Sequence, residues 1–216
     1  MFPKVKICCI SSLEEAQLAI KMGASALGLV AKMPSGPGPI SDELIREIAA
    51  IIPPPIASFL LTSRTDAASI AAHQQMVGTN TVQIVDALSE GTYADLRRAL
   101  PGISIVQVIH VIDERSVEEA LEIAPHVDAL LLDSGNPNLT VKELGGTGRV
   151  HNWALSRQIV DQSSRPVFLA GGLKAENAKA AMDAVQPWGL DLCSGVRTNG
   201  DLDPAKLEAF FKAVYG

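Results

Sequence analysis

The chain has 216 residues, 47% of them hydrophobic and 19% charged, with a formal net charge of −6, so there is enough apolar material for a sizeable core. The acidic balance argues against a general nucleic-acid binder, which needs clustered Lys and Arg, and no apolar run reaches the roughly 20 residues of a membrane helix. Three cysteines, two of them adjacent, make no disulfide framework, and the opening MFPKVKICCISS is too weakly apolar for a secretory signal, so the expected compartment is a reducing cytoplasm.

From the N-terminus, short apolar runs alternate with longer segments of helical period. VKICCI (5–10) comes first and SLEEAQLAIKMG follows it. On a strand, Lys6 and Cys8 share one face, while the neighbours Cys8 and Cys9 face opposite ways, which disfavours a bond between them. ALGLV (26–30) leads through Lys32 and the stiff, glycine-rich stretch Ser35 to Pro39 into SDELIREIAAII. IASFLL (56–61) precedes RTDAASIAAHQQM, whose His73 is expected at the surface. TVQIV (81–85) carries Gln83 near its end and precedes GTYADLRRAL. ISIVQVI (103–109) precedes DERSVEEALEIA, and His110 and His126 stand at element ends without metal-ligand companions.

ALLLD (129–133) closes on Asp133. The connection after it, SGNPNLTVKELGGTGRVHNW, carries Gly145, Gly146, Gly148 and His151; it is long for a βα loop, and such loops are often functional lids. NWALSRQIVDQ then precedes PVFLA (166–170), which runs into Gly171 and Gly172 ahead of KAENAKAAMDAV. LDLCS (190–194) runs into Ser194, Gly195 and Arg197, and DPAKLEAFFKAVYG ends the series with an apolar helical face.

Eight strand-like runs, each followed by a helical segment, imply a parallel sheet covered by helices. In 216 residues this spacing fits a single (β/α)8 TIM barrel domain over residues 1–216 better than an open doubly wound sheet, although periodicity alone does not show closure. In such a barrel the active site lies at the C-terminal ends of the strands, and loops seven and eight commonly hold phosphate. Gly171, Gly172, Ser194 and Gly195 fall there, where glycines let backbone N–H groups converge on an anion. Cys8 and Asp133, at the ends of other strands, form a plausible base and acid pair. The thiol then needs Lys6 or a ligand to favour its thiolate, and the carboxyl needs burial or substrate charge to raise its pKa.

KIC near the start, GASALG, VQ at the fourth run, LLLDS, GGTG followed by Trp153, PVFLAGGL with ENA after it, and DLCSGV occur in this order over nearly the whole chain. Together they resemble the phosphoribosylanthranilate isomerase family of tryptophan biosynthesis. The resemblance implies a cofactor-free Amadori rearrangement of a small phosphorylated sugar, with Cys8 as general base and Asp133 as general acid. It places the phosphate on Gly171, Gly172, Ser194 and Gly195. Lys6, Lys32, Gln83, Gly146 and Arg197 stand as further substrate-binding candidates.

The chain also departs from that pattern. The usual second-loop SPR reads SGPGPI, so Gly38 stands where an arginine is expected to hold the anthranilate carboxylate. KICG becomes KICC, a histidine after VQL becomes Val85, and SGVE becomes SGVR, with Lys32, Arg149 and Arg197 as candidate replacement cations. A paralogue acting on another phosphoribosyl amine or sugar phosphate, and a non-catalytic barrel that binds a phosphorylated metabolite, are the alternative readings. Neither a nucleic-acid nor a membrane partner is expected, and the chain is read as a monomer or a homodimer.

Overall fold

The computed structural model describes residues 3–216. Eight parallel strands form a closed barrel in sequence order: β1 (Lys4–Ile7), β2 (Ala26–Val30), β3 (Ala57–Thr62), β4 (Thr81–Ile84), β5 (Ser104–His110), β6 (Ala129–Asp133), β7 (Val167–Leu169) and β8 (Gly189–Leu192). The helices are α1 (Leu13–Lys21), α2 (Asp42–Ile51), α3 (Ala67–Val77), α4 (Tyr93–Ala99), α5 (Arg115–Ile123), α6 (Trp153–Gln162), α7 (Ala175–Val185) and α8 (Pro204–Tyr215). Most start on a side chain that accepts a backbone N–H: Ser12, Ser41, Asp66, Thr92, Asn152 and Asp203 serve α1, α2, α3, α4, α6 and α8. Such a cap is worth about 1 kcal/mol.

Two apolar clusters explain why the strands read as continuous apolar runs. Val5, Ile7, Leu29, Leu60, Ile84, Leu132 and Leu190 pack outward against the helices, and Phe59, Val106, Val108, Leu131 and Phe168 fill the barrel. Both faces of each strand are dry, as a parallel sheet requires. In β2 the interior positions are small, and a Cβ on Gly28 would lie 2.8 Å from Cys8 Sγ and 3.0 Å from Lys6 Nζ. That gap is what lets a lysine fit inside the barrel.

Three local expectations are corrected. β1 ends at Ile7, and Cys9 takes φ +62, so the two cysteine side chains do not alternate across a strand. His73 is buried, with Nε2 2.9 Å from Asp42 Oδ1 on α2. α3 buries residues over most of its circumference, so helical period marked out no polar face for that histidine. A hairpin that the run-by-run reading did not contain, β9 (Arg197–Thr198) with β10 (Asp201–Leu202), precedes α8. Asn199 and Gly200 close it with φ of +54 and +95, the geometry that Asn-Gly favours.

Candidate active site

The cavity at the C-terminal mouth of the barrel is built from its floor upward. Strand register sets Lys6 directly beside Asp191, and Lys6 Nζ lies 2.8 Å from Asp191 Oδ1, both buried. The ammonium also sits 5.2 Å from the centroid of the Phe59 ring. Burial opposes its charge, but the Asp191 carboxylate and the neighbouring thiols hold its pKa above the ordinary value. A buried ion of either sign without its partner is strongly unfavourable, so the two residues form one unit beneath the site. Asp191 lines the cavity and Lys6 does not: the lysine sits below the wall, paired with Asp191.

Above that pair stand three thiols. Cys8, Cys9 and Cys193 all line the cavity, and they are all the cysteines of the chain. Hydrogen bonding with the Cys9 thiol draws the Cys8 pKa below its usual value, with burial opposing and the Lys6 charge assisting. Hydrogen bonding with Cys193 and Cys8, together with burial, pushes Cys9 well up. Of the two neighbouring thiols, Cys8 is therefore the one whose thiolate is favoured and Cys9 the one whose proton is held. Lys6 contributes as the sequence suggested, but the larger influence is Cys9. A strand-alternation argument hid it, because the positive φ that turns Cys9 is not visible in residue spacing.

Asp133 ends β6, and burial pushes its carboxyl up, against the pull of the Ser134 N–H and of His110. The Ser134 N–H donates to Oδ1 at 2.7 Å. Oδ2 faces the backbone of Gly145 in the long sixth loop, where a Cβ would lie 2.6 Å away. One oxygen is thus fixed by the backbone, while the other points towards the loop that roofs the cavity. With Cys8 drawn down and Asp133 pushed up, both groups move towards neutral pH, which suits a base and an acid acting together.

The glycine turns after β7 and β8 form one wall. Gly171 and Gly172 have φ of +83 and +61, so a side chain at either would be strained. A Cβ on Gly172 would also lie 2.9 Å from Gly148 O. At Gly195 a Cβ would overlap the Leu173 carbonyl oxygen, so loops seven and eight touch backbone to backbone. Gly171, Gly172 and Ser194 line the cavity, and Gly195 lines an adjoining groove with Gly172, Asn177 and Lys206. His151 lies beside this wall, with Nε2 2.8 Å from Ser156 Oγ, and its Nδ1 is 3.0 Å from where a Cβ of Gly171 would stand. Burial lowers its pKa to about 4.

Gln83 and Gly146 also line the cavity, and Gln83 Oε1 is buried without a partner. The remaining candidates lie elsewhere. Lys32 is exposed and faces a different depression, between Thr62, Asp86 and Lys142. Arg197 is committed to Glu15, with nitrogen–oxygen distances of 2.8 Å, and donates to the Cys9 and Gly200 carbonyls. It ties the β1–α1 turn to the hairpin instead of facing a substrate. Arg149 pairs with Glu143, and Lys142 with Asp86. Asp191, which the run reading passed over, carried two signals: a carboxylate inside the buried run LDLCS, and the adjacency of first and last strands in a closed barrel.

Comparison with known proteins places this geometry. The model of the N-(5'-phosphoribosyl)anthranilate (PRA) isomerase family matches residues 5–213. N-(5'-phosphoribosyl)anthranilate isomerase 2 of Methanosarcina mazei is 35% identical over 209 residues, covering 96% of this chain and 92% of the relative. The crystal structure of phosphoribosyl anthranilate isomerase from Thermotoga maritima superposes with a TM-score of 0.80, at 29% identity and 98% coverage of both chains. A phosphoribosyl anthranilate isomerase in complex with reduced 1-(o-carboxyphenylamino)-1-deoxyribulose 5-phosphate superposes with a TM-score of 0.78, at 28% identity and 98% coverage of both chains.

Proposed function

Since the chain belongs to the N-(5'-phosphoribosyl)anthranilate isomerase family, we propose that Cys8 and Asp133 carry the proton transfers of its reaction. That reaction, a step of tryptophan biosynthesis, isomerises N-(5'-phosphoribosyl)anthranilate to 1-(2-carboxyphenylamino)-1-deoxyribulose 5-phosphate. The Asp133 carboxylic acid gives its proton to the ring oxygen as the bond from that oxygen to C1' breaks, leaving an open-chain iminium. The Cys8 thiolate then removes the proton from C2', and the electron pair moves to neutralise the nitrogen. The resulting enol-amine tautomerises to the ketone. Every step is a proton transfer or a bond shift within the substrate, so the chemistry calls for no cofactor.

The observation that carries this reading is the joint placement of the thiol and the carboxyl in one cavity, with their pKa values shifted in opposite directions. Gly171, Gly172, Ser194 and Gly195 hold the 5'-phosphate by backbone N–H groups, and Gln83 and Gly146 contact the sugar or the ring. Among the described residues, the cavity wall carries no Lys or Arg. No described helix is long and apolar enough to cross a membrane, and we place the enzyme in the cytoplasm.

The test is anthranilate fluorescence with substrate generated in situ, wild type beside Asp133→Asn. Turnover by wild type that is lost in Asp133→Asn supports the reading. A folded wild type that phosphate stabilises but that turns over nothing overturns it in favour of a binding barrel.

A further inference from the structure

Two of the departures from the family pattern, Cys9 and Arg197, meet at one hydrogen bond: Arg197 Nη2 donates to the Cys9 carbonyl oxygen at 2.5 Å. We propose that Arg197, set in place by Glu15, is a positioning residue for the catalytic base: it holds residue 9 in its left-handed backbone conformation and so fixes the turn that carries Cys8. The inference rests on the assignment of Cys8 as the base.

The turn needs such a hold. Cys9 has φ +62, a conformation that glycine takes freely and that a side chain keeps only where its surroundings impose it. The residues on either side are tied by their main chain: the Cys8 N–H donates to Leu192 O at 2.7 Å and the Ile10 N–H to Gly28 O at 3.1 Å. Cys9 itself is held by its thiol, 3.7 Å from Pro37 O, and by its carbonyl on Arg197. A thiol is a weak donor, whereas a guanidinium gives a charge-assisted hydrogen bond of about twice the ordinary strength. The carbonyl contact is therefore the stronger of the two.

Glu15 makes the guanidinium a fixed point. Nη1 and Nη2 lie 2.8 Å from the two different oxygens of its carboxylate, in a pair whose side chains are 8% and 12% exposed. The same oxygens accept the Leu202 N–H at 2.8 Å and the Ser11 N–H at 2.9 Å, and Arg197 Nη1 also reaches Gly200 O at 2.7 Å. One ion pair thus gathers the β1–α1 turn, the start of α1 and the hairpin. Arg197 follows directly on Ser194–Val196, the turn of the phosphate wall, so the same side chain sets the base at a fixed place relative to the phosphate end. A glutamate at 197, as in the family pattern, would offer the Glu15 carboxylate and the Cys9 carbonyl only acceptors. A glycine at 9 would need no hold. The two departures therefore belong together.

The experiment uses the full chain as wild type, Arg197→Gln, Cys9→Gly and the double variant. It measures kcat and KM of the isomerisation and amide exchange at Ile10 without substrate, with a thermal melt to show that each variant folds. With Cys9 present, Arg197→Gln should lower kcat by about tenfold or more, as small displacements of catalytic groups do, leave KM nearly unchanged and speed exchange at Ile10. In Cys9→Gly the same substitution should change kcat and exchange by clearly smaller factors, because glycine keeps the turn unaided. Equal factors in the two backgrounds would mean that Arg197 only fastens the hairpin, and a raised KM at constant kcat would mean that it serves the phosphate wall; either overturns the proposal. Arg197→Lys, which keeps a cation beside Glu15 but loses the fork, carries the same comparison if Arg197→Gln does not fold. A folded wild type without turnover would overturn the assignment of Cys8, and exchange would still decide whether Arg197 holds residue 9.

Discussion

Where the loops after β7 and β8 meet, backbone touches backbone: a side chain at Gly195 would overlap the Leu173 carbonyl, and one at Gly172 would strike Gly148 and Arg149. Across the mouth, the long loop after β6 is held mainly by side chains: Ser35 Oγ of the loop after β2 donates to Lys142 O at 2.6 Å, Lys142 pairs with Asp86 beyond β4, and Arg149 pairs with Glu143 within the loop. The first kind of contact tolerates no substitution without moving a main chain, whereas the second is more exchangeable, because an exposed ion pair such as Arg149–Glu143 contributes only about 0–1 kcal/mol. The glycine wall, where we place the 5'-phosphate, keeps the family's AGGL and SGV pattern. The ring-facing side is where this chain departs from that pattern, at Gly38, Cys9 and Val85.

The acid and base stand between these two halves, and their removal should have the largest effect whichever half is altered. Asp133→Asn and Cys8→Ser should each lower kcat by about 10²–10⁴-fold, the usual worth of general acid or base catalysis. KM should move little, because neither change touches the phosphate wall. A pH–rate profile should be bell-shaped, because the reaction needs Cys8 deprotonated and Asp133 protonated, and Asp133→Asn should remove the limb that falls towards high pH. If Asp133→Asn keeps the basic limb, the acid has been misassigned.

His151 sharpens the comparison on the phosphate side through stability. Its pKa falls from 6.5 to about 4 because burial excludes the charged form. Between those values the unfolded chain binds a proton that the folded chain refuses. The contribution is therefore complete above pH 6.5 and is lost as pH falls to 4, by about 3 kcal/mol. Urea unfolding of His151→Gln against wild type should show the gap between them change by that amount from pH 7 to pH 4. A constant gap would mean that the histidine is solvated and braces nothing.

At the wall itself, Gly172→Asp sets a carboxylate and a Cβ against the Gly148 and Arg149 backbone. Saturating inorganic phosphate should stabilise wild type by about 2–3 kcal/mol at a hundredfold excess over Kd, and should leave Gly172→Asp unmoved in a thermal melt. Equal stabilisation of both proteins would break the assignment of these glycines to phosphate.

Much of this was legible before any coordinates, because a parallel barrel buries both faces of its strands and turns each into an uninterrupted apolar run. ALGLV and ALLLD coincide with β2 and β6 to the residue. The losses share one cause, contacts between residues far apart in the chain. Arg197 reads as a free cation until Glu15, 182 positions away, neutralises it. Lys6 reads as a ligand contact until β8 closes on β1 and supplies Asp191. His73 reads as a surface residue until Asp42 of α2 meets it. Cys9 differs in kind, since its left-handed backbone is a local conformation that Cys does not advertise, unlike the Asn-Gly of the hairpin.

The smallest expected effect tests whether the departures on the ring-facing side belong together. Gly38 has φ +85, and a Cβ there would lie 2.6 Å from Cys9 Cβ and 3.0 Å from Cys9 Cα. The missing arginine of the second loop and the extra cysteine of the first therefore contend for one space. A glycine at position 9 would take its φ of +62 without strain and would remove the nearer of these contacts. Gly38→Arg alone should be clearly destabilising. In a Cys9→Gly background it should cost less, with a coupling of about 1 kcal/mol of the kind residues in contact show. The double variant should also lower KM for the carboxylate-bearing substrate relative to Gly38→Arg alone, since a guanidinium admitted to the cavity reaches the aromatic acid. Additive free energies in the double-mutant cycle would mean that the two loops vary independently, and the ring-facing side would then be a set of separate changes instead of one exchanged contact.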